Sequence, residues 1–230
     1  MKIGVLCIHG FSGGTYEIAP LQQYLAAHLE AYFVMPTLPG HGEVLTLQHT
    51  KASHWLKAAE NAYRVLARKV EQVIVVGFSM GGVIALHLAA RYPIAKLVLL
   101  SPAMRYLAPK ALLLQVNEMG KSYYYQQLQE NEIYQRYAFK WGKVRLPDTI
   151  QFMKLVQQTT PYLARVTAPT IIIQGMKDGM VPYQTAQYIK QAIHSQEKEI
   201  YYSTGGLHHI CFSKDRDEWF QDVLQFIQLS

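Results

Sequence analysis

The sequence predicts an α/β fold in which a mostly parallel sheet of six or slightly more strands carries helices on both faces. Short apolar and β-branched runs alternate along the chain with stretches of helical periodicity, as in strands that are joined by crossover helices. Residues 74–76 and 171–173 are apolar at every position, which is typical of strands covered on both sides. A serine flanked by glycines follows the first of these runs and directly precedes a helical stretch.

The alternation assigns the elements in order. We predict strands over residues 3–8, 32–35, 72–77, 96–101, 170–175 and 199–203. We predict helices over residues 20–29, 53–69, 80–91, 184–193 and 215–227. Pro20 suits the first position of the first helix, because its missing N–H has no partner to lose there.

The composition is that of a globular protein with one large core. Of the 230 residues, 50% are hydrophobic and 17% are charged, which excludes a disordered chain, and no apolar run is long enough to cross a membrane. Residues 3–8 lead into no small-residue cleavage site, so we expect a core strand there and not a signal peptide. Cys7 and Cys211 lie in apolar surroundings, which indicates buried free thiols and a cytoplasmic location.

The strand–helix alternation stops between residues 104 and 168, where tyrosine and glutamine become frequent and irregular helices are expected. We therefore predict a core formed by residues 1–103 and 169–230, with residues 104–168 inserted as a small helical cap. Nine basic and four acidic residues lie between Met104 and Arg165, within a chain of formal net charge +6. This excess is either a solvated basic face or a surface that attracts anionic substrates, and no basic cluster forms a nucleic-acid-binding motif.

Ser79 is the candidate nucleophile. It lies at the centre of the segment Gly77-Phe78-Ser79-Met80-Gly81-Gly82, between the apolar run and the predicted helix. A tight strand-to-helix turn with small neighbours pushes the serine hydroxyl outward, where a substrate can reach it. The alternative is a glycine-rich turn that only joins the strand to the helix.

Asp178 and His208 are the candidate acid and base. Each follows a predicted strand, and in an open parallel sheet such loops meet at the carboxyl ends of the strands. A serine needs a histidine to take its proton and a carboxylate to hold that histidine, and the order serine, acid, histidine fits this arrangement. Asp148 is a weaker rival as the acid because it lies in the predicted cap. Asp215 and Asp217 look like first-turn acids of the last helix.

Attack on an ester carbonyl produces an oxyanion that needs two preorganised donors. We predict that the backbone N–H of Met80, at the start of the helix, supplies one of them. The second is expected from the glycine-rich loop after the first strand, most plausibly the N–H of Phe11. His9 and His41 are interpreted as residues that shape their loops.

Five motifs together resemble the α/β-hydrolase superfamily, and most of all small bacterial carboxylesterases and monoacylglycerol lipases. The motifs are His9-Gly10-Phe11-Ser12-Gly13-Gly14, Gly40-His41-Gly42, Gly77-Phe78-Ser79-Met80-Gly81-Gly82, Lys177-Asp178-Gly179-Met180-Val181 and His208-His209-Ile210. The likeness covers nearly the whole chain except the cap, where only length and position are similar.

The resemblance implies an α/β-hydrolase fold with Ser79 as nucleophile, Asp178 as acid and His208 as base. It also implies Phe11 and Met80 as oxyanion donors and a helical cap over an acyl-binding pocket. The family's sheet usually begins with extra strands, which we do not find before residue 3, so the strand at 32–35 is expected at a sheet edge.

We therefore predict a serine hydrolase that cleaves carboxylic esters of short to medium acyl chains through an acyl-enzyme. Monoacylglycerol lipase activity, and thioester or aromatic-acid ester hydrolysis, are alternatives, and a non-catalytic ligand receptor on the same fold is a more distant one. No cofactor and no metal are implied. The expected partner is a small ester substrate, without nucleic acid or stable membrane insertion, and the protein is expected to be a monomer or homodimer.

Overall fold

The computed structural model describes residues 2–105 and 143–229. Its centre is a six-stranded sheet with the order β2-β1-β3-β4-β5-β6, in which every neighbouring pair is parallel. The strands are β1 (Ile3–Ile8), β2 (Ala31–Val34), β3 (Gln72–Phe78), β4 (Lys96–Leu100), β5 (Thr170–Gly175) and β6 (Lys198–Ser203). Because all strands run the same way, their carboxyl ends meet at one edge of the sheet, where loops from different parts of the chain come together.

Helices connect these strands and cover the sheet. They are α1 (Ala19–His28), α2 (Ala52–Ala67), α3 (Met80–Ala89), α4 (Leu146–Thr159), α5 (Gln184–Ala192) and α6 (Arg216–Gln228). Short 3₁₀ helices span Thr15–Glu17, Thr160–Arg165 and Ile210–Phe212. No helix in the described ranges is long and apolar enough to cross a bilayer.

The core consists of two apolar layers, one on each face of the sheet. In β1 the side chains of Leu6 and Ile8 join the layer under α2–α5, whereas Val5 and Cys7 join the layer under α1 and α6. This division follows from the strand period of two residues. Residues 74–76 of β3 and 171–173 of β5 are therefore apolar on both faces of the sheet, as the sequence predicts.

Two helices illustrate how burial determines the sequence pattern. In α2 the buried residues Trp55, Ala59, Tyr63 and Leu66 recur every three or four positions and form one face. Every residue of α3 is buried, because this helix lies between the sheet and the helices α2 and α4. The helix begins at Met80, two residues after β3 ends at Phe78.

The predicted fold class is confirmed, and the strand predicted at 32–35 lies at the edge of the sheet. For residues 104–168 the sequence predicts irregular helices, and the structure differs in the part that it describes. Their described part contains the regular helix α4, whose Phe152, Leu155 and Val156 pack into the core layer beside α3. Most of the predicted cap, including its tyrosines at 123–125, lies outside the described residues, so the cap remains a prediction.

Candidate active site

Ser79 lies on a strained turn between β3 and α3. Its backbone has φ 53° and ψ −113°, a conformation that a non-glycine residue adopts at a cost of about 1–3 kcal/mol. The turn is held by the N–H of Ser79, which donates to the carbonyl of Leu100 at 2.9 Å, and by its own carbonyl, which accepts from Gly82 at 3.0 Å. The strain is thus maintained by hydrogen bonds on both sides of the turn.

The neighbouring glycines allow the backbones to come this close. A Cβ on Gly81 would lie 2.0 Å from the carbonyl oxygen of Ile8, at the end of β1. A Cβ on Gly77 would lie 2.4 Å from the carbonyl oxygen of Gly81. The small residues predicted around Ser79 are therefore required by close backbone packing.

The imidazole of His208 lies between Ser79 and Asp178. The Ser79 hydroxyl is 2.9 Å from Nε2, and Nδ1 is 2.8 Å from Oδ2 of Asp178, although Ser79 and His208 are 129 residues apart in sequence. Because a carboxylate can only accept, Nδ1 carries the proton and Nε2 is left as an acceptor for the Ser79 hydroxyl. The three residues predicted from separate loops thus form one continuous hydrogen-bonded chain.

Asp178 is fixed by more than its contact with His208. Its Oδ1 accepts hydrogen bonds from the N–H groups of Met180 at 2.8 Å and Val181 at 2.9 Å. Its Oδ2 also accepts from the side-chain amide of Gln174 at 3.2 Å. These donors hold both the position and the rotation of the carboxylate.

Burial and charge act in opposite directions on this pair. Burial raises the pKa of the Asp178 carboxyl, but the charge of His208 and the hydrogen bonds to the carboxylate outweigh it and lower the pKa overall. Burial likewise opposes protonation of His208, yet the charge and hydrogen bond of Asp178, with a further contribution from Glu17, raise the pKa of His208. The site therefore favours a carboxylate beside an imidazole that can accept a proton.

The loop that carries His208 packs against the end of β5. The N–H of Lys177 donates to the carbonyl of Gly206 at 3.0 Å, and a Cβ on Gly175 would lie 2.4 Å from that same oxygen. The side chain of His209 points in a different direction from that of His208, since its Nε2 lies 3.5 Å from Oε1 of Glu17. Of the two adjacent histidines, His208 is the one whose Nε2 lies within hydrogen-bond distance of the Ser79 hydroxyl, at 2.9 Å.

The loop after β1 is built around a buried carboxylate. Oε2 of Glu17 accepts from the N–H groups of Gly10 at 2.9 Å and Gly14 at 3.2 Å. Nε2 of His9 accepts from the N–H of Leu38 at 2.9 Å, so the neutral ring carries its proton on Nδ1, which lies 2.9 Å from the Gly10 carbonyl. His9 therefore shapes the loop, as its sequence context predicts.

Phe11 is supported by aromatic neighbours from three other parts of the chain. Its ring stacks on Phe152 of α4 at 5.5 Å and meets Trp55 of α2 at 5.9 Å and His41 at 6.0 Å between centroids. The indole of Trp55 donates to the carbonyl of Pro39 at 3.1 Å. Met80 is the first residue of α3, a position whose N–H has no intrahelical partner. The oxyanion roles of Phe11 and Met80 remain a prediction.

Sequence reasoning missed Glu17, Gln174 and Phe152. Glu17 stands three residues after Gly14, the spacing of a capping-box glutamate, so a local signal for it was present.

The rival acid Asp148 instead accepts hydrogen bonds from Arg145 at the start of α4. Among the described residues, no group of three or more His, Cys, Asp or Glu side chains is placed to hold a metal ion.

Comparison with known families fits this arrangement. Residues 2–215 match the Hydrolase_4 family, which is described as serine aminopeptidase S33. The chain belongs to this family. The resemblance to hydrolases of this fold that the sequence motifs suggested is thus confirmed over nearly the whole chain.

Individual relatives extend over the same length. The chain is 29% identical to a thermostable monoacylglycerol lipase of Bacillus sp. (strain H-257), over 97% of this chain and 90% of that protein. It is 24% identical to a carboxylesterase of Bacillus subtilis (strain 168), over 97% and 92% respectively. A solved structure from the metagenome-derived lipolytic enzymes LipS and LipT is 24% identical, with a TM-score of 0.79 over 99% of this chain and 94% of its own.

Proposed function

We propose that this protein hydrolyses carboxylic esters of short to medium acyl chains, with Ser79 as nucleophile, His208 as base and Asp178 as the acid that orients it. The observation that carries the proposal is the hydrogen-bonded chain from the Ser79 hydroxyl through His208 to Asp178. A serine hydroxyl becomes an effective nucleophile only when an adjacent base removes its proton, and this geometry supports that transfer.

In the first half of the reaction, Nε2 of His208 takes the Ser79 proton while the serine oxygen attacks the ester carbonyl carbon. The carbonyl oxygen becomes an oxyanion, and His208 becomes an imidazolium that Asp178 stabilises. When the intermediate collapses, the imidazolium gives its proton to the departing alcohol and an acyl-Ser79 ester remains.

In the second half, a water molecule replaces the alcohol. His208 removes one proton from the water as the water oxygen attacks the acyl carbon. The carboxylic acid then departs and Ser79 recovers its proton from His208. Protonated His208 can start neither half, so the rate falls on the acid side.

The oxyanion of both intermediates needs donors, and the N–H groups of Phe11 and Met80 are the proposed pair. Support comes from the place of Met80 at the first position of α3, where a backbone N–H has no intrahelical partner, and from the aromatic packing around the Phe11 ring. Removal of one such donor typically costs about 2.7–4 kcal/mol of transition-state stabilisation.

The ester's alcohol part separates two candidates for this site. The relative named monoacylglycerol lipase supports a glycerol ester, and the relative named carboxylesterase supports simpler esters. The cap at residues 104–168 is proposed to select among them by covering the acyl pocket.

A cytoplasmic location is proposed because Cys7 and Cys211 are buried free thiols. A monomeric or homodimeric state stays a prediction.

The test is a substrate panel with the purified full chain. It comprises p-nitrophenyl esters from acetate to palmitate, monoacylglycerols of matched acyl chains, and aminoacyl p-nitroanilides to probe the peptidase activity that the family description names. We expect turnover of the esters, a maximum at short to medium chains, and loss of turnover after treatment with a serine-directed phosphonate. Turnover of anilides alone, or no turnover of any ester, would contradict the proposal.

A further inference from the structure

Glu17 is a buried carboxylate beside the candidate active site. It is 2% exposed and belongs to the 3₁₀ helix that follows the loop after β1. A buried carboxylate is costly unless hydrogen bonds and charges compensate for the lost water. Its compensation here comes from two loops, and both of them carry groups of the proposed reaction.

The first of these is the oxyanion loop, residues 9–14. Oε2 of Glu17 accepts from the N–H groups of Gly10 at 2.9 Å and Gly14 at 3.2 Å, so it holds the chain on both sides of Phe11. The loop also closes over the carboxylate, since a Cβ on Gly13 would lie 1.8 Å from Oε2. Hydrogen bonds to a charged acceptor are stronger than neutral ones, and these two fix the loop's curvature.

The second is the histidine loop, residues 204–209, between β6 and the 3₁₀ helix Ile210–Phe212. Oε1 of Glu17 lies 3.5 Å from Nε2 of His209, directly beside His208 in the chain. From the oxyanion loop, Nδ1 of His9 lies 4.0 Å from Oε2. The carboxylates that act on His208 are thus Asp178, in direct contact, and Glu17, at a greater distance, and both raise the pKa of His208 against the effect of burial.

We propose that Glu17 is a positioning residue that holds the oxyanion loop and the histidine loop in register and whose negative charge stabilises the imidazolium of His208. This inference rests on the proposed function. A small displacement of either loop misaligns the donors and the base, and misplacement by about 1 Å can lower a rate on the order of 10²-fold.

Two substitutions separate the position of the carboxylate from its charge. Glu17→Asp keeps the charge but is one methylene shorter, so it cannot reach the loop amides and His209 together. We expect its kcat per active site to fall about tenfold or more with little change in KM, because the loss appears in the transition state. Glu17→Gln keeps the length and loses the charge. We expect the acid limb of its kcat/KM profile to move to lower pH, because His208 becomes less basic.

The matched control is Glu60→Gln on α2, a second glutamate near a histidine, whose Oε1 lies 3.8 Å from Nε2 of His87. Active sites are counted by phosphonate titration, so unfolded protein does not enter kcat. A wild-type kcat in Glu17→Asp, or an unmoved acid limb in Glu17→Gln, would overturn the proposal. If Glu17→Asp yields no titratable sites, kcat of Glu17→Gln decides. The lost charge should lower that kcat, and a wild-type value overturns the proposal.

These outcomes are distinct from failure of the proposed function. If the protein is not a serine esterase, the wild type and Glu60→Gln will also lack turnover and titratable sites. If only the inference about Glu17 is wrong, wild type and control are active and the Glu17 variants match them.

Discussion

Oδ2 of Asp178 and Nδ1 of His208 are 2.8 Å apart, and the rotation of the carboxylate is fixed from its other side. The N–H groups of Met180 and Val181 both point at Oδ1, where only an acceptor satisfies them. The carboxylate therefore presents one defined oxygen to the imidazole.

Asp178→Asn is expected to lower kcat by about 10⁴-fold without loss of the fold. The amide oxygen will take the place of Oδ1, because two N–H groups require an acceptor there. The amide NH₂ then faces Nδ1 of His208, which must give up its proton and carry it on Nε2 instead. Nε2 can no longer accept from Ser79, and steady-state ester hydrolysis measures the loss.

The control for this variant is Asp215→Asn at the start of α6. Asp215 Oδ1 accepts from the hydroxyl of Ser203 at 2.8 Å, so it has a structural hydrogen bond but no contact with His208. Its kcat should stay near the wild-type value. Equal losses in the two variants would contradict the role assigned to Asp178.

The adjacent histidines are expected to respond very differently to alanine. His208→Ala removes the base that is hydrogen-bonded to Ser79, so both the acyl-enzyme burst and steady-state turnover should be lost, by up to about 10⁶-fold. His209→Ala should keep the burst and lose no more than about tenfold in turnover, because its imidazole lies against Glu17 and helps to hold the loop, whereas the imidazole of His208 contacts the serine. The reverse result would exchange the two assignments.

Gly81→Ala is expected to destabilise the protein because its Cβ would meet the backbone. The new atom would lie 2.0 Å from the Ile8 carbonyl oxygen and 2.7 Å from that of His9, so either β1 or α3 must move. Overpacking of this kind typically costs about 1–3 kcal/mol, which urea unfolding measures.

Gly205→Ala is the matched control, since its Cβ would have no heavy atom within 4 Å. It should unfold at the wild-type urea concentration. If Gly81→Ala is equally stable, the close approach of α3 to β1 does not limit what position 81 can carry.

The strands could be predicted because their chemistry is local. Residues 3–8 form an apolar run and residues 170–175 are centred on one, and both strands have these bounds in the structure. Ser79, Asp178 and His208 could also be predicted, because each lies in the turn or loop that follows a strand, and parallel strands bring their carboxyl ends together. In these cases the sequence neighbours of each residue determine its location.

Glu17, Gln174 and α4 depend instead on distant parts of the chain. Glu17 is buried because two loops close over it, and nothing in its own neighbours requires His209 to lie beside it. Gln174 sits in an apolar strand, and its amide gains a role only from Asp178. The regular helix α4 owes its place to packing against α3, whereas tyrosine- and glutamine-rich composition upstream concealed its period.

His87 is expected to make the fold sensitive to acid. Burial, with repulsion from Arg91, lowers the pKa of His87 from 6.5 to about 4, although Glu60 lies 3.8 Å away. Between these values the unfolded chain binds a proton that the folded chain refuses. The free energy of unfolding therefore decreases as pH falls through this window, with a slope approaching about 1.4 kcal/mol per pH unit.

The measurement is urea unfolding of wild type and His87→Gln at neutral pH and in the middle of that window. The variant should lose less stability on acidification than the wild type does. His28→Gln, at an exposed position of α1, serves as the control and should behave like the wild type. An identical acid dependence in His87→Gln would show that other groups cause it.

The most direct test of the proposed mechanism is ester turnover by cleanly purified Ser79→Ala, beside phosphonate labelling of the wild type followed by peptide mass spectrometry. The account predicts a phosphonate adduct on Ser79, and an alanine variant that keeps the wild-type thermal unfolding while its kcat falls by up to about 10⁶-fold. Ester turnover at the wild-type rate by the Ser79→Ala protein would contradict it.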